Sequence, residues 1–268
     1  MVKASKVRVI KTAKWGEQEM QKYLDALQNE IPEFHAYYES HRPELDKIFD
    51  RIEWIIDPDR TPRSGCIPDY RILINSIPTT YDDAQIVSHE MEHCRLWEIG
   101  YPKIHPGWTG TKSDTIMVGI CSAISNMIYN PIIELHLKKY YVDLCITDKK
   151  KFESQIKRLN EKTINNKNIF LIFCCYYVTG FLTIKWLCEE GRDFEADGYF
   201  QKGNGEKIAP CAKRIISIFE ENGLISCQSI EEIPPDSIKK IIKEIADNFH
   251  LNFRYYPPEN IIFLSYSD

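Results

Sequence analysis

The chain lacks the marks of several specialised classes, and each absence narrows the reading. There is no excess of positive charge. The 34 Lys and Arg face 39 Asp and Glu, a formal net charge of −5, which argues against a general nucleic-acid binder. None of the nine cysteines forms a C-x-x-C pair, their number is odd, and Cys174 and Cys175 are adjacent and unsuited to a simple bridge. Cys94, Cys121 and Cys188 sit in apolar, helical-looking runs. They read as buried thiols of a reducing cytoplasm, with a cysteine-held zinc as the alternative. Residues 1–6 are not followed by an apolar stretch long enough for a secretory signal. There is no phosphate-binding glycine loop, no internal repeat and no low-complexity linker.

One apolar segment bears on membrane contact. Residues 169–184 are strongly apolar, but the run reaches only about 16 residues before Lys185, short of the ~20 that a span needs. Its tyrosines and that lysine favour a helix buried among others, so membrane contact is not expected. The small basic clusters at Lys6, Arg8 and Lys11 and at residues 149–151 read as solvated surface. What remains is a chain of 268 residues with 43% apolar content, enough for one domain with a core of its own.

The most chemically specific string is His-Glu-Met-Glu-His at residues 89–93, the H-E-x-x-H pattern in full. On a helix, positions four apart lie on one face, so His89 and His93 can aim two imidazoles at one ion. Glu90 sits beside them, within reach of a metal-bound water. Two neutral imidazoles, a carboxylate and a water make a common catalytic zinc shell, so Zn2+ is the expected cofactor. The alternative is a pair of core histidines satisfied by backbone carbonyls. Two histidines and an acid on one buried face are costly without a partner, which weighs against it.

The surroundings predict a helix. Thr80 is a candidate N-cap, Asp82 and Asp83 suit the first turn, and neither Pro nor Gly intervenes before Gly100, which suits a stop. Taking His89 as the reference direction, Ile86, His93, Leu96 and Trp97 fall within roughly 80° of it, so both histidines lie in an apolar stripe. Upstream, residues 70–75 alternate polar and apolar and read as a short strand, broken by residues 76–79.

A strand leading into an H-E-x-x-H helix resembles the layout of zinc peptidases of the zincin type. In that family an edge strand above the metal binds extended substrate by backbone pairing. The metzincin class is excluded, because Leu96 and Ile99 stand where its glycine and third histidine belong. The gluzincin class takes a glutamate from a later helix, and residues 125–137 are the candidate segment. Asn126, Asn130 and Glu134 are spaced by four, Tyr141 lies seven further on, and a continuous helix would set all four on one face. His136 would point away from Glu134. The segment resembles the N-x-x-E-D-x-R-x-E stretch of some predicted prokaryotic metallopeptidases. Asn126 and Glu134 match it, whereas Tyr129, Asn130 and Ile132 depart at its E, D and R. Pro131 either kinks one long helix or opens a new helix capped by Asn130. The alternative for Glu134 is a surface acid on an amphipathic helix. The resemblance spans about residues 70–142, a quarter of the chain.

It implies an α+β, mainly helical chain, zincin-like, with a small sheet packed on the H-E-x-x-H helix. It would form a single metallopeptidase domain over 1–268 whose helical C-terminal part starts at about 207. The implied activity is peptide-bond hydrolysis in the cytoplasm, on a peptide or protein substrate and with no nucleic acid. His89, His93 and Glu134 would ligate Zn2+ and Glu90 would act as general base. Tyr141 is the first candidate to stabilise the oxyanion, with Tyr140, Tyr129 and His105 behind it. The alternative is a catalytically silent relative acting in regulation or protein interaction; the intact Glu90 argues against it. Oligomeric state has no signal in the sequence. Elsewhere helices are expected at 17–29, at 32–56 with an interruption near Pro43, at 207–223 and at 236–249. A strand at 7–10 would pair with 71–75. Residues 192–198 read as an acidic loop or helix end, and residues 251–263 as a short extended pair broken at Pro257-Pro258.

Overall fold

The structure, a computed structural model, describes residues 13–14, 17–56, 64–67, 70–74, 80–107, 113–144, 150, 154, 157, 166–187, 204–227 and 232–266. Expectations for residues 7–10, for Cys188 and for residues 192–198 lie outside this set. The chain is α+β and mainly helical, and it separates into two compact units, Met1–Glu98 and Ile99–Asp268.

In the first unit, α1 (Glu17–Glu30) buries Met20, Leu24 and Leu27 along one stripe. Helix α2 (Pro32–Phe49) begins with Pro in its first turn, where the missing N–H costs nothing. Its apolar face is Phe34, Tyr37, Tyr38, Leu45 and Ile48. Pro43 sits inside this helix without ending it. The helix does not run on to residue 56 as expected. Asp50 caps it, and Glu53–Ile56 forms strand β2. The aromatic and β-branched character of Trp54 and Ile55 suits a pleated surface, and pairing with a distant strand decides the outcome.

That strand is β4 (Arg71–Ile74), which runs parallel to β2 with Trp54 opposite Ile72. Strand β3 (Ser64–Ile67) pairs antiparallel with β4, and β1 (Ala13–Lys14) antiparallel with β2, giving the order β1-β2-β4-β3. The strand ahead of the H-E-x-x-H helix is therefore interior. Among the described strands, β3 is the sheet edge that packs against that helix.

Helix α3 (Tyr81–Glu98) follows the predicted bounds closely. Its start is a reciprocal capping box. The Asp83 N–H donates to Thr80 Oγ1 at 3.2 Å, and the Thr80 N–H and hydroxyl donate to Asp83 Oδ2 at 3.2 and 2.8 Å. Past its end, Gly100 adopts φ +103°, open to glycine at little cost.

In the second unit, β5 (Lys103–Pro106) pairs parallel with β7 (Ile261–Tyr266), which pairs antiparallel with β6 (Leu251–Tyr256). The β6–β7 turn passes through the 3-10 segment Pro257–Glu259 and Asn260 at φ 52°, as the paired prolines foretold. Helices α4 (Ser113–Leu137) and α5 (Lys167–Leu187) pack on each other, and α6 (Asn204–Glu221) packs on α5 and on α7 (Pro235–Asn248). Windows of α4 and α5 are long and apolar enough to cross a membrane, a test that a buried core helix also passes, and more than half of each window is buried. Sequence reading singled out α5 alone. Cys94, Cys121, Cys174 and Cys175 are buried, as expected for the cysteines of apolar helices.

The capping box predicts that Thr80→Ala lowers stability by about 1 kcal/mol in urea unfolding. An unchanged unfolding midpoint would show that the box contributes nothing.

Candidate functional site

Helix α3 is polar in composition yet buried on all sides over its second half. Glu90, Met91, Glu92, His93, Cys94, Arg95, Leu96 and Trp97 are all buried, and His89 is partly exposed. The apolar stripe read from the sequence is therefore only part of the packed surface. Charged groups in such a setting need partners, because removing a charge from water is expensive.

For Glu92 those partners are explicit. Arg95, one turn on, donates from Nε to both carboxylate oxygens at 3.0 and 2.9 Å and from Nη2 to Oε1 at 2.6 Å. The Tyr37 hydroxyl reaches across from α2 and donates to Glu92 Oε2 at 3.1 Å. Exposure of the pair is 6% for Arg95 and 0% for Glu92, so solvent screens it little. Burial opposes the charge on Arg95, but the adjacent Glu92 carboxylate and its hydrogen bonds outweigh that and raise the pKa further. Sequence reading missed this group. The available signal was an acid and an arginine three apart on a helix expected to be buried.

The two motif imidazoles meet on the next face. The His89 and His93 ring centres are 5.1 Å apart with their planes at 73°. The two rings thus meet edge-on on one face of α3, as residues four apart on a helix can. An aromatic wall continues from His93. The Trp97 ring is 6.3 Å from it, and Tyr70 meets Trp97 edge-on at 5.7 Å. Tyr70 holds a left-handed φ of 63°, unusual for an aromatic residue and kept only where packing over-determines it. The Arg51 guanidinium lies 4.0 Å from the centre of the Tyr70 ring and also pairs with Glu98 at 2.8 Å.

Glu134 and Tyr141 belong to the second unit, whereas His89, Glu90 and His93 belong to the first. Glu134 lies on α4 and is buried, which disfavours the surface-acid alternative. Helix α4 runs through Pro131 without a break, so Asn130 is an interior residue and not an N-cap. The helix ends at Leu137, however, and residues 138–140 form a turn. The continuous helical phase expected to carry Tyr141 stops short of it, although Tyr141 is fully buried. Among the other hydroxyls considered, Tyr129 donates to the Pro102 carbonyl, and burial pushes its pKa well up. Among the described residues, no three His, Cys, Asp or Glu side chains gather to hold one ion.

Comparison with family models, with curated proteins and with solved structures found no match to this chain. The chemistry of the site therefore rests on the residues themselves.

Removing one partner of the buried ion pair should be severe. Glu92→Ala is expected to destabilise the fold by about 3–5 kcal/mol in urea titration, because it strands the Arg95 charge. The exposed Arg214–Glu221 pair, at 2.9 Å, is the control, and Glu221→Ala should cost less than about 1 kcal/mol. Equal effects at the two sites would contradict this account of α3.

Proposed function

We propose that the chain is a zinc-dependent metallopeptidase of gluzincin type with a zincin-like fold. The observation that carries the reading is the His89–His93 pair, with ring centres 5.1 Å apart on one face of α3 and Glu90 following His89 on the same helix. The layout of the first unit supports it. A mixed sheet precedes the motif helix, and β3, an edge among the described strands, packs on that helix where an extended peptide could add a strand.

His89 and His93 would hold the ion through neutral ring nitrogens. Zn2+, when bound, supplies an acidified water and a Lewis acid for a substrate carbonyl. Glu90 would be the group that takes up and gives back a proton in such a hydrolysis.

The alternative is a zinc-binding but catalytically silent relative of the same fold, acting in regulation or protein interaction; the intact Glu90 argues against it.

Metal content and turnover separate the two. The purified protein is expected to take up one equivalent of Zn2+, and His93→Ala to lose it. Glu90→Gln should retain the metal while cleavage of a peptide library falls by at least about 10²-fold, the low end for loss of a general base. Zinc uptake with no cleavage by the unaltered protein would favour the silent relative, and no uptake would contradict both readings.

A further inference from the structure

We propose that Tyr37, Glu92 and Arg95 form a positioning group that fixes the roll of α3 about its own axis and so sets the aim of His89 and His93. The proposal rests on the metal reading given above.

On the helical wheel Glu92 lies about 60° to one side of His89 and Arg95 about 120° to the same side, while Glu90 lies about 100° to the other. One flank of the histidine stripe is thus tied to α2, and the other carries the proposed base. The tie is directional. The apolar neighbours Met91, Cys94 and Leu96 are fully buried, but apolar surfaces accept small rotations. The Tyr37 hydroxyl at 3.1 Å from Glu92 does not, because a hydrogen bond weakens steeply as its angle closes. A roll of about 10–20° is enough to spoil a ligand constellation, so a directional tie at Glu92, three residues after His89 and next to His93, acts at the scale that matters.

Stability alone is a poor explanation for this group. A buried ion pair adds little over well-packed apolar residues of similar volume. Arg95 has a second consequence. Its contacts at 2.6 to 3.0 Å occupy both oxygens of Glu92, the other acid of the motif, and keep that carboxylate from competing as a ligand.

The test uses the full chain with Zn2+ or Co2+ alone as the probe. Tyr37→Phe removes the hydroxyl and keeps the ring. Glu92→Met with Arg95→Met removes both charges and keeps volume. Both variants are expected to fold with urea midpoints near that of the unaltered protein. Their affinity for Zn2+, read by competition with a chromophoric chelator, should fall about tenfold or more, the scale seen when groups that orient ligands are lost. The Co2+ visible spectrum should change in position and intensity, a readout that global stability does not move. If the double variant fails to fold, Tyr37→Phe decides alone. Affinity and spectrum identical to those of the unaltered protein overturn the proposal and leave the metal reading standing. If the unaltered protein binds neither ion, both fall.

Discussion

A charged helix can be buried only if every charge on it is answered, and α3 is built around that constraint. Its second half carries Glu90, Glu92, His93 and Arg95 into a buried position where apolar residues would be the easier choice. Glu92 and Arg95 neutralise each other, and Tyr37 adds a hydrogen bond from α2. Once that flank is fixed, the histidines are left on the adjoining face with their ring centres 5.1 Å apart. The capping box at Thr80 and Asp83 sets where the helix starts, and therefore which residues fall on which face.

The surroundings extend the same logic. Trp97, Tyr70 and Arg51 form a packed series next to His93, with Tyr70 held in a strained backbone conformation where the chain enters β4. Strain of this kind persists only where neighbours hold it, and it is concentrated at sites under functional constraint. The sheet brings β3 to the edge and against α3, while the strand that directly precedes the helix is enclosed between β2 and β3. Chain order and spatial order differ here because β2 and β4 pair in parallel with β3 lying between them in sequence.

Much of α3 was legible because its signals are local. An N-cap, a first-turn acid and a terminal glycine each act within a few residues. The strand at Glu53–Ile56 was not legible as a strand, since nothing between Phe49 and Glu53 breaks a helix and the deciding partner, β4, is distant in the chain. The Glu92 group escaped because the stripe argument treats off-stripe positions as solvated, whereas this helix is packed all round. Tyr141 was grouped with Glu134 by assuming that the helical phase continued, and α4 ends four residues before it. The expected ligand set is divided between two compact units, which no spacing rule within one helix reveals.

The central claim is that His89 and His93 bind one divalent ion together. X-ray absorption at the zinc edge of the loaded protein tests it most directly. The account predicts a first shell of nitrogen and oxygen donors near about 2.0–2.1 Å with the outer-shell scattering of two imidazoles. A shell dominated by sulfur near about 2.3 Å, or one without imidazole scattering, would contradict it.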